Sequence, residues 1–234
     1  MPPCRDVVIQ MVRGLPRTTG FVVRRVAAEH AVFGDVVGVI VEKVVMVDRF
    51  ILTGPPGAGK STILRQLGED GFATADEAAT DVIAAWRQQG IDEPWTDPSF
   101  VDAIVETQRH RQVTLGNSAR VQFYDRSSIC TLALAEWLGY SVSDALRIEI
   151  ARIRVERFYR PEVFFIGSLG FVTPTEARRI SLADSIRFGD LHERAYLAHG
   201  FKLIHIDSAP VVQRVESIKR YVQYLREPTS RFQA

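Results

Sequence analysis

The sequence predicts an α/β fold, three layers of α/β/α around a five-stranded parallel sheet. Two observations predict it. Five short apolar runs that read as strands alternate with longer runs that read as helices, the pattern of a doubly wound sheet. At the first strand–helix junction stands Gly54-Pro55-Pro56-Gly57-Ala58-Gly59-Lys60-Ser61, a complete G-x-x-x-x-G-K-S phosphate-binding loop. Strand, glycine-rich loop and helix come in the order that makes such a loop an anion site.

The elements follow in order. Arg49 to Thr53 is the strand that feeds the loop, and the helix after it includes Thr62 to Leu67. Gly71 to Ala75 is a short second strand. Ala78 to Gln89 is a helix stopped by Gly90. Ile91 to Pro98 holds two prolines and reads as a loop. Ser99 is placed to cap a helix that runs to Leu115 and stops at Gly116. Arg120 to Tyr124 is the third strand and leads into Asp125-Arg126-Ser127. A helix over Ile129 to Leu138 ends at Gly139. Ser143-Asp144 starts the next, with Leu146, Ile150 and Ile153 on one face. Glu162 to Ile166, between Pro161 and Gly167, is a buried strand. Phe171 to Ser181 has no strong period. Asp184 to His199 is helical, Phe201 to Ile206 is the last strand, and Asp207 or Ser208 caps a final helix with Pro210 near its first turn. Val211, Val215, Ile218, Val222 and Leu225 form that helix's stripe.

A chain of 234 residues fits one such domain with some excess. The excess is residues 1–45, valine-rich and without clear period, so residues 46–234 are expected to be the domain. The extension reads as an upstream-start artefact, a poorly ordered tail or a small β-rich appendage. Its weak periodicity favours the first two. Formal net charge is +1, which gives no ground for a nucleic-acid or membrane-surface partner. The longest apolar stretch, Val36 to Val47, is broken by Glu42 and Lys43 and is too short to cross a bilayer. Cys4 and Cys130 have no metal-ligand spacing, and a reducing cytoplasmic setting is expected.

The loop fixes the candidate chemistry. In Gly54-Pro55-Pro56-Gly57-Ala58-Gly59 the glycines would let the backbone wrap around a polyphosphate, and the loop's N–H groups and the start of the helix at Lys60, Ser61 and Thr62 would point at its oxygens. Lys60 would reach the β- and γ-phosphates, and the Ser61 hydroxyl would ligate Mg²⁺, so ATP with Mg²⁺ is the expected cofactor pair. Asp125, at a strand end, either holds Mg²⁺ or accepts the proton of an attacking hydroxyl; a plain helix cap is the bland alternative. Arg126 stands where ATPases that use water usually carry a Glu. An arginine polarises water poorly and suits an anionic or hydroxyl-bearing substrate. Asp76 and Glu77 could bind acceptor hydroxyls, and helix-start acids favoured by the dipole explain them equally well. Arg178, Arg179 and Arg187 flank a lid-like segment and could neutralise the transferring phosphoryl group. Trp86, Trp95 and Phe100 could stack on a flat substrate, although core packing is their commoner fate.

Taken together, the phosphate loop, Ala75-Asp76-Glu77-Ala78-Ala79, Phe123-Tyr124-Asp125-Arg126-Ser127, Trp137-Leu138-Gly139 and Tyr196-Leu197-Ala198-His199-Gly200-Phe201 resemble the AAA-domain family of P-loop proteins that includes ribosylnicotinamide kinase domains. The resemblance covers about residues 48–226. It implies the P-loop NTPase fold of nucleoside/nucleotide-kinase type, ATP with Mg²⁺, and phosphorylation of a small hydroxyl compound. Two positions depart from the family pattern: Thr80, where members often carry Arg, and Cys130, where they often carry a second Asp.

A kinase acting on a hydroxyl or phosphate of a small nucleoside-like or polyol metabolite is therefore expected. An ATPase or nucleotide-dependent switch acting on a partner is the alternative. Asn117 is the only asparagine, so no Asn-Lys-x-Asp guanine motif exists. The Asp-Glu pair of ring-forming motors is missing as well.

Overall fold

The computed structural model describes residues 19–25, 39–172 and 180–227. β1 (Thr19–Arg25) and β2 (Val39–Val45) pair antiparallel, Thr19 opposite Val45 and Arg25 opposite Val39. Of the runs that would build a β-rich appendage, Phe21 to Val23 falls within β1, and Val36 to Val41 falls within β2 from Val39 onward, its residues 36–38 lying outside the described residues. Val47–Tyr224 forms a separate compact unit.

That unit begins with β3 (Asp48–Thr53), the phosphate loop and α1 (Lys60–Glu69). Next come β4 (Ala73–Ala75), α2 (Ala78–Gln88), a 3₁₀ turn over Pro94–Thr96, α3 (Ser99–Leu115) and β5 (Val121–Asp125). α4 (Ser128–Leu138), α5 (Asp144–Val155), β6 (Glu162–Ile166), α6 (Leu182–Ala198), β7 (Lys202–Ile206) and α7 (Val211–Arg226) complete it. The five strands are all parallel in the order β4-β5-β3-β6-β7. The loop strand is therefore central, and its carboxyl end opens where the chain's connections part to either side, the place where such sheets bind ligands.

Side-chain alternation divides the core into two faces. Phe50, Phe123 and Phe164 point one way, with ring centroids 5.6–6.4 Å apart, and Phe164 meets Tyr221 of α7. Ile51, Tyr124 and Val163 point the other way, into a cluster with Val101, Ile129, Leu146, Ile150 and Tyr196 from α3, α4, α5 and α6. A second, smaller cluster joins Ala78, Val82 and Ile83 of α2 to Phe100 and Ile104 of α3. Buried on both faces, the three central strands β5, β3 and β6 read as continuous apolar runs rather than as alternating ones.

Three helix starts differ from the sequence expectation. Ser99 is the first residue of α3 rather than its cap. Asp97 takes the capping role, accepting from the Ser99 N–H at 2.8 Å and its hydroxyl at 2.7 Å, because a carboxylate two residues back reaches a helix-start N–H better than Ser99 can reach its own turn. α6 starts at Leu182, where Ser181 Oγ accepts from the Asp184 N–H at 3.0 Å. α7 starts at Val211, after Asp207 and Ser208, and the Pro210 carbonyl accepts from Gln213 and Arg214. Proline supplies the fixed φ and lacks an N–H that would need a partner. No helix among the described residues is long and apolar enough to cross a membrane.

Every strand of the parallel sheet, and every covering helix except the last two residues of α7, lies within Val47–Tyr224, so we propose that this unit folds without residues 1–45. A chain beginning at Met46 is expected to unfold in one transition within about 5 °C of the full-length midpoint. Insolubility, or a midpoint lower by more than about 10 °C, contradicts that domain boundary.

Candidate active site at the carboxyl edge of the sheet

The chain leaves β3 through a turn that only glycine can make. Gly54 has φ +131°, and a Cβ there would stand 2.3 Å from the Ile166 carbonyl oxygen. Gly59, at φ +84°, is the left-handed cap from which α1 departs. These two residues let the loop fold back over the sheet edge. Two later elements hold it there. Ser185 of α6 donates to the Pro56 carbonyl at 2.7 Å, and Gly189 lies against the Pro55 ring. Lys60 curls back to donate to the carbonyls of Gly54 and Pro55, at 3.3 and 3.0 Å.

Strand register brings the carboxylates to the same edge. Leu52 of β3 pairs with Asp125 of β5, and the Arg126 N–H donates to the Leu52 carbonyl at 3.0 Å. Asp125 is 3% exposed. Its Oδ2 accepts from Ser61 Oγ at 3.2 Å, and its Oδ1 is buried without a hydrogen-bond partner. Orphaned buried oxygens of this kind are rare and point to a missing cation or proton. A hydroxyl beside a carboxylate is the oxygen donor set that suits Mg²⁺, which keeps most of its shell for water and substrate phosphate. Among the described residues there is no group of three or more His, Cys, Asp or Glu that would make an all-protein metal cage. The residues present therefore fit Mg²⁺ carried with a nucleotide.

Arg126 sits at φ +73°, a left-handed conformation that costs an arginine about 1 kcal/mol or more. Its partners over-determine it. Arg126 Nε donates to Glu77 Oε1 at 2.5 Å, and Arg126 Nη1 lies 3.1 Å from His192 Nε2. A guanidinium only donates, so that imidazole nitrogen must accept. His192 is fully buried; burial, then the Arg126 and Lys60 charges, hold its pKa well below the usual imidazole range. It is thus a neutral acceptor. Thr80 donates to the other Glu77 oxygen at 3.2 Å.

The electrostatics of these groups are shared. Burial disfavours the Glu77 carboxylate, but Arg126 and Lys60 outweigh it and keep its pKa low. Burial, then repulsion from Glu77, raises the Asp125 carboxyl. Burial, then Arg126, brings Lys60 down to about 8. Burial acts against Arg126 too, yet Glu77, Cys130 and Asp125 hold its pKa above the ordinary arginine value. Perturbed groups gathered at a cleft are the signature of a functional site.

The cleft is a cavity of about 760 Å³ that opens on Gly57, Gly59, Lys60, Ser61, Thr62, Glu77 and Arg126. Its far walls are apolar and aromatic, from Ile83, Trp95, Phe100, Ile104, Leu134, Trp137, Phe171 and Phe188, with the Gln108 and Thr131 side chains among them. Cys130 lines it as a free thiol, 3.3 Å from Thr53 Oγ1 and 3.1 Å from the Tyr196 hydroxyl.

Of the residues singled out in the sequence, the structure brings together Pro56, Gly57, Gly59, Lys60, Ser61, Thr62, Glu77 and Arg126 on that cavity, with Gly54, Pro55, Ala58 and Asp125 buried directly behind. Asp76 is exposed and outside the cavity lining, its carbonyl held by Arg111. Arg187 points to the surface, paired with Asp184 and 5.9 Å from the Trp137 ring centroid. Arg178 and Arg179 lie outside the described residues. Sequence reasoning passed over His192 and Arg214. A signal existed for both. His192 stands one turn from Phe188 and from Tyr196, and Arg214 one residue before Val215 in the stripe of α7, so each is a polar residue at a core position.

Because Glu77 and Arg126 are mostly buried, with side chains 24% and 10% exposed, breaking one partner leaves the other charge stranded. Glu77→Gln is expected to cost about 3 kcal/mol of stability, and a double-mutant cycle with Arg126→Met to show a coupling of about 2 kcal/mol. A coupling near zero in chemical denaturation contradicts this account of the pair.

Comparison with known proteins places the fold. Residues 49–214 match the family model described as an AAA domain. No curated protein matches. Among solved structures, the chain is similar to NadR protein in complex with NAD and AMP-PNP, with a TM-score of 0.57 and 15% identity over 81% of this chain and 52% of that one. It is similar also to NadR protein in complex with NR, with a TM-score of 0.57 and 16% identity over 80% and 53%. The chain spans about half the length of these two proteins, and likeness at this identity is a likeness of fold.

Proposed function

The chain belongs to this AAA-domain family, and from that premise we propose that it is a small-molecule kinase, transferring the γ-phosphate of ATP to a hydroxyl or phosphate of a nucleoside-like or polyol metabolite. One observation carries the reading. The phosphate loop opens into a cavity of about 760 Å³ with aromatic walls. That volume is ordinary for a small-molecule site, and it leaves room for a second ligand beside the phosphates. The two similar solved structures hold AMP-PNP with NAD in one case and NR in the other, which supports a nucleotide and a small-molecule partner for this chain in class only.

In this reading Lys60 and the loop N–H groups bind the β- and γ-phosphates. Ser61 and Asp125 would hold Mg²⁺, which when bound screens the charge on the phosphate oxygens. The acceptor lies in the aromatic cavity with its nucleophilic oxygen toward Arg126. An oxygen–phosphorus bond forms, the bond to the β–γ bridging oxygen breaks, and ADP leaves. With Asp125 engaged on the metal, the hydroxyl proton leaves on the transferred phosphoryl group. Arg126 balances charge on the equatorial oxygens, held in place by Glu77 and His192. Glu77 is engaged by Arg126 and Thr80, so it is poorly free to orient a water, which argues for transfer over hydrolysis. The free Cys130 thiol fits the reducing, cytoplasmic setting that we assign to it.

ADP release is the test, measured with and without members of a nucleoside and polyol panel. The wild type is expected to turn over slowly alone and faster with the right acceptor. Asp125→Asn should cut the acceptor-dependent rate about a hundredfold while ATP affinity changes less than about fivefold. Lys60→Ala should remove ATP binding in a folded chain. Fast hydrolysis that ignores every acceptor and survives Asp125→Asn overturns the kinase reading and favours the ATPase or switch.

A further inference from the structure

We infer that Arg214 is a positioning residue for the phosphate loop, a cation docked on the loop's outer face whose counter-charge is the bound polyphosphate. The inference rests on the reading that the loop binds nucleotide, and goes beyond it by assigning a part of that binding to a residue on the last helix.

A mismatch of charge carries the argument. Arg214 occupies the buried stripe of α7 beside Val215 and Ile218 and is 3% exposed. Its Nη1 donates to the Ala58 carbonyl at 2.7 Å. Its guanidinium packs on Gly59 so closely that a Cβ there would stand 3.0 Å from Nη2. Nε is buried and has no partner. Arg126 and Arg152 each rest on a glutamate, whereas no carboxylate among the described residues lies within ion-pair reach of Arg214. Burial alone acts on its pKa, downward, with no anion to oppose it.

A buried guanidinium cannot escape its cost by losing a proton, and one carbonyl is incomplete compensation for it. Two consequences follow. The first is geometric. In a planar trans peptide the Ala58 carbonyl and the Gly59 N–H point in opposite directions. Fixing the carbonyl on Arg214, outside the loop, aims the Gly59 N–H inward, toward the place the phosphates take. The second is electrostatic. Arg214 lies one layer of backbone from that place, in a medium that screens poorly. Its field adds to that of Lys60, and an arriving polyphosphate supplies the negative charge that the surrounding protein does not. A side chain at 59 would press on this contact, and the positive φ of +84° favours glycine there on its own account.

The test is calorimetric binding of ATP with Mg²⁺ to the full chain as wild type, Arg214→Gln and Arg214→Lys, with melting curves without nucleotide. Glutamine keeps an N–H donor for the Ala58 carbonyl and removes the charge; lysine keeps the charge. The glutamine variant is expected to bind ATP about tenfold or more weakly, and the lysine variant within about threefold of wild type. The nucleotide-free glutamine variant is expected to melt no lower than wild type, because the charge it loses has no partner in that state. Unchanged ATP affinity in the glutamine variant overturns the proposal. So does equal weakening in both variants, or a lower melting point joined to normal affinity, which would assign Arg214 to the fold alone. A wild type that binds no ATP at all is a different failure, that of the nucleotide reading itself.

Discussion

Lys60, Glu77, Asp125 and Arg126 meet at the carboxyl edge of the sheet, and the rest of the domain is arranged around the need to hold these charges out of water. Two are cations and two are anions, which is what makes the burial tolerable. Stranding a single buried charge costs about 3–5 kcal/mol, a large share of the stability of an ordinary domain. The balance is nevertheless local and imperfect. Glu77 is held low by two cations, whereas Asp125 is raised because burial and Glu77 both oppose its charge. The unpartnered Oδ1 of Asp125 is the structural trace of the same imbalance.

Much of the backbone serves that edge. Parallel pairing of β3 with β5 sets Asp125 beside Leu52. The turn at Gly54, pressed against Ile166 of the neighbouring strand, then throws the loop over it. Arg126 is driven into a left-handed conformation that its Glu77 and His192 contacts must outweigh. Backbone strain of this sort persists where surrounding contacts over-determine it, and it collects at functional sites. Three helices steady the loop: α6 through Ser185 and Gly189, α7 through Arg214, and α1 through Lys60.

The sheet was legible in the sequence because five apolar runs bounded by glycine and proline can hardly be anything else beside a phosphate loop. Asp125 was legible because a carboxylate ending an apolar strand has few other reasons to be there. Glu77 was found, but its exposed neighbour Asp76 reads the same in one dimension, and only the departure of α2 from the sheet separates them. Arg187 falls on the outward side of α6, a matter of helix phase relative to a loop more than a hundred residues away. His192, which has no metal-ligand spacing, and Arg214 were given no role because residues that act by burial carry no motif; each shows only as a polar residue on an apolar stripe. The aromatic cavity was least legible of all. Trp95, Phe100, Trp137 and Phe188 come from separate elements, and a ring that lines a cavity and one that fills a core look alike in sequence.

The central claim is that this edge moves a phosphoryl group from ATP to a small molecule seated against those rings. ATP labelled with heavy oxygen in its γ-phosphate tests it most directly, with products identified by mass spectrometry after incubation with a metabolite panel. The account predicts that the label appears in a phosphorylated acceptor in equal amount to the ADP formed. Label found only in inorganic phosphate, at the same rate whatever acceptor is present, would contradict it.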